Sequence, residues 1–285
     1  MMRWLTIRGI QVQGANANSG MFAVGYPAMT AFSGFSKSFL RSVAAHFGTE
    51  VPVLDGFAVI HHTGRARLYG RYGDKMTERR YVYERAGPPS KPGHWLNPPS
   101  EIQPQCDLTF SIAIGCTLDP AVQAQLVEYP NLLDALVGPR ALSGTVARCG
   151  AGVWADTLSD ALTAAPSGWV VIDETASLAC SGGRDALDVM LDQLSSPWRI
   201  SGTRAVFRRL FPSQIGFRAV SPLARRPGQR DPDTDHVFAE PVIGLAEWRH
   251  RHDVLNDEAL LGKSHWSPRI DRATGLFTIQ GNRHD

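Results

Sequence analysis

The sequence has no uninterrupted apolar run near the ~18 residues that a membrane-spanning helix needs. Its first residues, MMRWLTIRGIQVQG, lack the basic-then-apolar layout of a signal peptide and read as a strand, so a cytoplasmic protein without a membrane partner is expected. The four cysteines, Cys106, Cys116, Cys149 and Cys180, form no C-x-x-C pair; buried thiols in a reducing compartment are the reading for them. There is no G-x-G-x-x-G, no Walker loop, no H-E-x-x-H and no G-x-S-x-G. Dinucleotide, nucleoside-triphosphate, zinc-protease and serine-hydrolase chemistries therefore have no support. Asp231, Asp233 and Asp235 copy the first ligands of a calcium loop, but His236 and Val242 stand where glycine and glutamate are required, so a polar turn is expected and neither a metal nor a cofactor is called for.

Acid is also missing where base is dense. Arg199–Arg230 holds eight arginines and no acidic residue, and residues 65–91 carry eight basic side chains against three acidic ones. Since the whole chain is only +2, about −11 is left for the rest. Such segregation provides one surface for polyanions and another for basic partners.

Residues 3–12 are β-branched and apolar, a first strand. The loop GANANSG at 14–20 follows, then a helix from Pro27 in which Phe32, Phe35, Phe39, Leu40 and Val43 keep helical spacing, with Thr30 or a neighbour as cap and Gly48 as stop. Further expected elements are strands at 51–63 and 106–117, a helix at 119–137, a strand at 141–149, a helix at 156–164, a strand at 168–173 and a helix at 184–196. The order through 149 is β, α, β, insertion, β, α, β. This predicts an α+β, modified RRM/ferredoxin-like domain spanning 1–285, with a basic arm inserted at about 64–105 and an irregular, Arg-rich C-terminal extension at about 197–285. Strands are expected there around 216–223 and 237–249.

A sheet with basic margins suits single-stranded RNA, because guanidinium groups bind phosphates bidentately and aromatic rings stack on bases. Tyr69, Tyr72, Tyr81 and Tyr83 interleave with Arg67, Arg71, Arg79 and Arg80, and Phe207 and Phe211 flank Arg208 and Arg209. The candidate RNA-binding residues are Asn16, Asn18 and Ser19 in the first loop, Lys37 and Arg41 on the first helix, and Arg71, Arg79 and Arg80 on the arm. Arg148, Arg204, Arg208, Arg209, Arg225 and Arg226 complete the set. Asn16 and Asn18 can read a base edge or a 2′-hydroxyl, or simply shape a turn. His61-His62 is the one pair with acid–base potential, and since neighbours on a strand face opposite ways, only one can serve a given site.

The succession Asn16-Ala17-Asn18, Gly25-Tyr26-Pro27 and Ala31-Phe32-Ser33-Gly34-Phe35 strongly resembles the N-terminus of the Csy-two family, the Cas-five-type subunit of type I-F CRISPR Cascade. Leu54-Asp55-Gly56 through Ile60, Leu142-Ser143-Gly144-Thr145, Val220-Ser221-Pro222-Leu223 and Gly244-Leu245-Ala246-Glu247-Trp248 continue the likeness in order; Ala246 replaces a glycine and the middle region is shorter. The resemblance implies a RAMP-superfamily fold and a non-catalytic subunit that binds the 5′ handle of crRNA. It also implies contacts with the large Cascade subunit and the first backbone subunit, with target DNA in the complex a further candidate contact. The competing expectation is a RAMP-type, metal-independent endoribonuclease using His61 or His62.

Overall fold

A computed structural model describes residues 2–19, 23–67, 104–179, 184–196, 198–201, 204–227 and 233–282. Strand β1 (Arg3–Asn16) leads to helix α1 (Met29–Phe47), then strands β2 (Leu54–Ala66) and β3 (Gln105–Cys116). Helices α2 (Pro120–Glu128) and α3 (Pro130–Val137) precede β4 (Arg140–Ala141), β5 (Gly144–Arg148), β6 (Gly152–Ala155), α4 (Leu158–Ala164), β7 (Trp169–Asp173) and α5 (Ala186–Ser195). The C-terminal third contributes β8 (Trp198–Ser201), β9 (Arg204–Phe207), β10 (Arg209–Ala219), β11 (Ala239–His250), α6 (Arg251–Leu255), α7 (Glu258–Ser264), β12 (Trp266–Asp271) and β13 (Leu276–Gly281).

The protein is mixed α/β with one large antiparallel sheet, eleven strands among the described residues. Its order is β12-β13-β10-β11-β7-β2-β3-β1-β5-β4, with β6 also on β1. A bridge from Trp266 to Phe57 joins β12 back to β2, closing a ring of six strands. Apolar layers pack on both faces, covering one of them only in part. Leu5, Ile7, Val12, Phe110 and Ile112 meet Phe32, Phe35 and Phe39 of α1 on one side. Trp4, Ala58, Ile60, Ala113 and Ile172 meet α4, α6 and α7 on the other. Helix α1 forms because its phenylalanines fall on one stripe, and Gly48, at φ 64°, ends it in the left-handed conformation that glycine tolerates. Its start is not capped by Thr30: no local side chain does so, and Ser213 Oγ of β10 accepts the Met29 N–H at 3.2 Å instead.

Several expected elements differ from what forms. The helix expected over 119–137 is two helices, because Pro130 has no N–H to donate and starts a new first turn. The strand expected over 141–149 is a hairpin whose turn residues, Leu142 and Ser143, both have positive φ (53° and 67°). The region from 197 onward, expected to be irregular apart from strands around 216–223 and 237–249, holds six strands and two helices among its described residues, with β11 at the second expected place. Its pairing is long-range, a property that local sequence pattern does not report.

Candidate nucleic-acid interface

On β3, Ala113, Ser111, Thr109 and Asp107 share one face by strand alternation, yet only Ala113 lies under the α4–α7 layer. The upper half of this face is open and polar. Gln11 and Thr63 are both in register with Thr109, and Arg65 is in register with Asp107. With Gln13 these residues line a shallow concavity of about 280 Å³. Arg148 stands opposite Gln11 and is exposed, where a bulge in β5 widens the margin of the sheet. Glutamine amides and threonine hydroxyls both donate and accept, which suits sugar hydroxyls and base edges.

The concavity lies at the base of the basic segment, whose flanking strands end at Ala66 and resume at Gln105. Arg67 donates to Asp107 Oδ1 from Nε (2.9 Å) and sits 2.7 Å away through Nη2, while Gly14 N–H donates to the same oxygen at 3.0 Å. The Arg67 hydrogen bond, aided by Gly14 and by the nearby charges of Arg67 and Arg65, holds the Asp107 carboxyl below its ordinary pKa against a smaller opposing effect of burial. This acid is thus permanently charged and matched by arginine, which limits its repulsion of a polyanion.

The first loop joins this corner. Asn16 is in register with Gln105, its N–H reaches Leu142 O in the β4–β5 turn, and its side chain accepts the Asn18 N–H at 2.8 Å, an Asx turn. Ser19 points elsewhere. It is buried, 3.3 Å from Ser213 Oγ, and accepts the Gln214 N–H, so its hydroxyl ties the loop to β10.

The remaining candidates do not form one surface. Lys37 and Arg41 flank a groove of about 360 Å³ with Val51, Val53, Pro268 and Ile270, and Lys37 lies over the Phe277 ring. Arg225 is exposed and 3.8 Å from Asp235, whereas Arg226 lies over Phe238 and donates to Ser221 Oγ and Pro222 O. Arg204 is on β9. Arg71, Arg79 and Arg80, with Tyr69, Tyr72, Tyr81, Tyr83 and Cys180, fall outside the described residues.

Arg208 departs from the phosphate-anchor expectation most clearly, because it is only 6% exposed. Its Nε and Nη2 donate to Glu247 Oε2 at 2.9 and 2.7 Å, and Nη2 is 3.0 Å from Glu174 Oε2. Lys263 pairs with Glu174 at 2.7 Å and Arg249 with Glu247 at 2.9 Å. Burial works against the Arg208 charge, but Glu247 and then Glu174 outweigh it and raise its pKa. Adjacent Arg209 is exposed, so strand alternation separates two arginines that look equivalent in sequence.

The two histidines diverge in the same way. His61 lies in an aromatic box with Tyr26 (5.5 Å) and Trp248 (5.7 Å), which also pack on Phe211. Burial, then the proximity of His62, lowers its pKa to about 4, so it is neutral at pH 7. Its Nδ1 has no hydrogen-bond partner among the described residues. His62 takes the open side: its Nε2 is 2.7 Å from Ser111 Oγ and its Nδ1 3.1 Å from Ser167 O. Burial, chiefly, lowers its pKa too.

Burial pushes the thiols of buried Cys106 and Cys116 and of partly buried Cys149 up to about 11, 12 and 12, which keeps them as unreactive thiols. Among the described residues no cluster of His, Cys, Asp and Glu is arranged to hold a metal, and no helix is long and apolar enough to cross a membrane.

Gln11, Gln13, Thr63, Thr109 and Asp107 were not among the sequence candidates. Their signal was present as alternation: Ile10-Gln11-Val12-Gln13 and Asp107-Leu108-Thr109-Phe110 each put a polar side chain on every second position of a central strand.

Residues 5–279 match the family model described as CRISPR-associated protein (Cas_Csy2). The match takes in both the open polar face and the buried ion cluster, and the chain belongs to that family, whose members are CRISPR Cascade subunits.

Proposed function

We propose that this Csy-two family chain is the non-catalytic subunit of a type I-F surveillance complex that binds the 5′ handle of crRNA. The observation that carries the reading is the open polar half-face of β5-β1-β3-β2 beside the ends of a segment rich in arginine and tyrosine. That four-strand order, reached by β, α, β, β, α, β connections, is the one a ferredoxin-like RAMP domain has, and it supports that assignment. Gln11, Gln13, Thr63 and Thr109 supply neutral hydrogen bonds, while Arg65, Arg148 and the arm residues Arg71, Arg79 and Arg80 supply phosphate neutralisation. Asn16 and Asn18 border the same corner. The reading includes contacts with the large subunit and the first backbone subunit; membership of a Cascade-subunit family supports them, and the −11 of charge outside the two basic segments suits basic partner surfaces.

His62 on the open side keeps the endoribonuclease reading in view. Against it, His61 faces the opposite side, which removes the second histidine from any shared acid–base pair. The test is binding of a handle-sequence RNA by the assembled complex. Substituting Gln11, Arg65 and Arg148 together by alanine is expected to weaken it at least ten-fold, while His62→Ala leaves both RNA maturation and binding unchanged. Unchanged affinity in the triple variant would remove the open face as the RNA surface, and loss of RNA maturation in His62→Ala would establish the nuclease.

A further inference from the structure

A second surface is built from rings in edge-to-face contact and one cation. Trp198, on β8, meets Phe207 of β9 edge-on at 5.2 Å. The Arg209 guanidinium lies 5.7 Å from the Phe207 ring and 4.1 Å over the indole of Trp169. Trp169 then meets His250 edge-on at 5.6 Å. The order Trp198, Phe207, Arg209, Trp169, His250 is thus a continuous ladder running from the β8–β9 hairpin onto the main sheet. Trp198 is 64% exposed and Phe207 44%, and Arg209 is exposed as well.

Packing does not require this arrangement. A tryptophan with most of its surface in water gives up the favourable burial of a large apolar ring, and a neighbouring phenylalanine does the same. The cation between them narrows the choice of occupant. An exposed arginine whose guanidinium carbon lies 4.1 Å over an indole keeps a planar cation at the surface, a group able to stack on a nucleobase and to donate to a phosphate. None of the five residues is acidic.

We propose that this ladder binds unpaired nucleotides of single-stranded RNA by base stacking, without reading their sequence. The proposal rests on the chain being an RNA-binding subunit and adds a second contact that extends the RNA path beyond the open half-face. Rings and guanidinium planes accept any base, so the surface takes nucleotides by their π faces, and its affinity falls when a base is absent even if every phosphate is present.

The test uses the assembled ribonucleoprotein and the full chain, with three substitutions on exposed side chains: Trp198→Ala, Phe207→Ala and Arg209→Lys. The probes are a single-stranded RNA carrying the handle plus an unpaired extension, and the same RNA with abasic sites in that extension. Trp198→Ala or Phe207→Ala is expected to weaken binding of the intact RNA about ten-fold, in line with the loss of one stacked base. The same variants should scarcely change binding of the abasic RNA. Arg209→Lys, which keeps the charge and loses the plane, should behave like the ring variants. Photocrosslinking of 5-iodouridine in the extension should label Trp198 or Phe207. If the handle binds but neither the substitutions nor the abasic sites matter, the ladder proposal fails and the handle reading stands. If no RNA binds in the assembled complex, both fail. If Trp198→Ala instead releases a neighbouring subunit with RNA affinity intact, the ladder is a protein-docking surface and the proposal is overturned.

Discussion

Arg208 offers the sharpest physical prediction, because its sequence context and its position assign it opposite roles. As a phosphate anchor, Arg208→Ala would weaken RNA binding and spare the fold. Its position makes it structural: two buried carboxylates, Glu247 and Glu174, converge on one guanidinium. Removing one member of a buried ion pair typically costs about 3–5 kcal/mol, since the partner stays desolvated and uncompensated. Here Glu247 keeps Arg249 and Glu174 keeps Lys263, so the lower end, about 3 kcal/mol, is the expected loss. For a chain of this size roughly 2–4 °C accompanies each kcal/mol, giving a fall in Tm of about 6–12 °C. Thermal unfolding followed by circular dichroism measures it, with Arg209→Ala as the control that should shift Tm by no more than a degree or two. An Arg208→Ala protein that melts with the wild type while losing RNA affinity would refute the structural assignment.

The remaining predictions concern other parts of the same fold. His61 should make stability depend on pH. Its folded pKa of about 4 lies below the ordinary 6.5, so its contribution is complete above about 6.5 and is lost as pH falls toward 4, at most about 3 kcal/mol. Denaturant titrations at pH 7 and pH 5 should show about 2 kcal/mol of that loss in the wild type and a smaller one in His61→Phe; equal losses would show that His61 is not the group responsible. Ser143→Gly should stabilise the protein by about 0.5–1 kcal/mol, since an exposed non-glycine residue at φ 67° gives way to the residue that accepts this turn conformation; a lower unfolding midpoint would refute it. Gly216→Ala should destabilise by more than about 2 kcal/mol, because a Cβ there would lie 2.1 Å from Phe277 O on the neighbouring strand; a proteolysis rate equal to wild type would contradict that packing.

What the sequence revealed, and what it hid, follows the range of the interactions. Helix α1, strands β1, β2, β3 and β7 and their order were legible because each carries its own apolar period, such as Phe32, Phe35 and Phe39, or Leu108, Phe110 and Ile112. Asn18 was recognisable as a loop residue, whereas Asn16, expected in the same loop, ends β1 in register with Gln105 at the margin of the open half-face. Of the C-terminal strands, β11 was legible at 237–249 and β10 only at its end; β8, β9, β12 and β13 were not, since such strands take their places by pairing with segments far away in the chain. Charge density flagged Arg208 and Arg209 equally, and only the tertiary placement of β10 separates them: alternation puts Arg209 on the face of Phe211, at the exposed end of the strand, and Arg208 on the opposite face, against Glu247 and Glu174. Expected capping by Thr30 failed for a related reason: the cap arrives from Ser213, 184 residues away.

The central claim is that this chain holds crRNA without cutting it. Its most direct test is co-expression with the neighbouring cas genes and a repeat–spacer RNA, with purification through a tag on this chain and sequencing of the RNA that comes with it. The expected result is a stoichiometric ribonucleoprotein whose RNA carries the intact 5′ handle, in the wild type and equally in His61→Ala and His62→Ala. Recovery of the chain free of RNA, or unprocessed repeat RNA in either histidine variant, would contradict it.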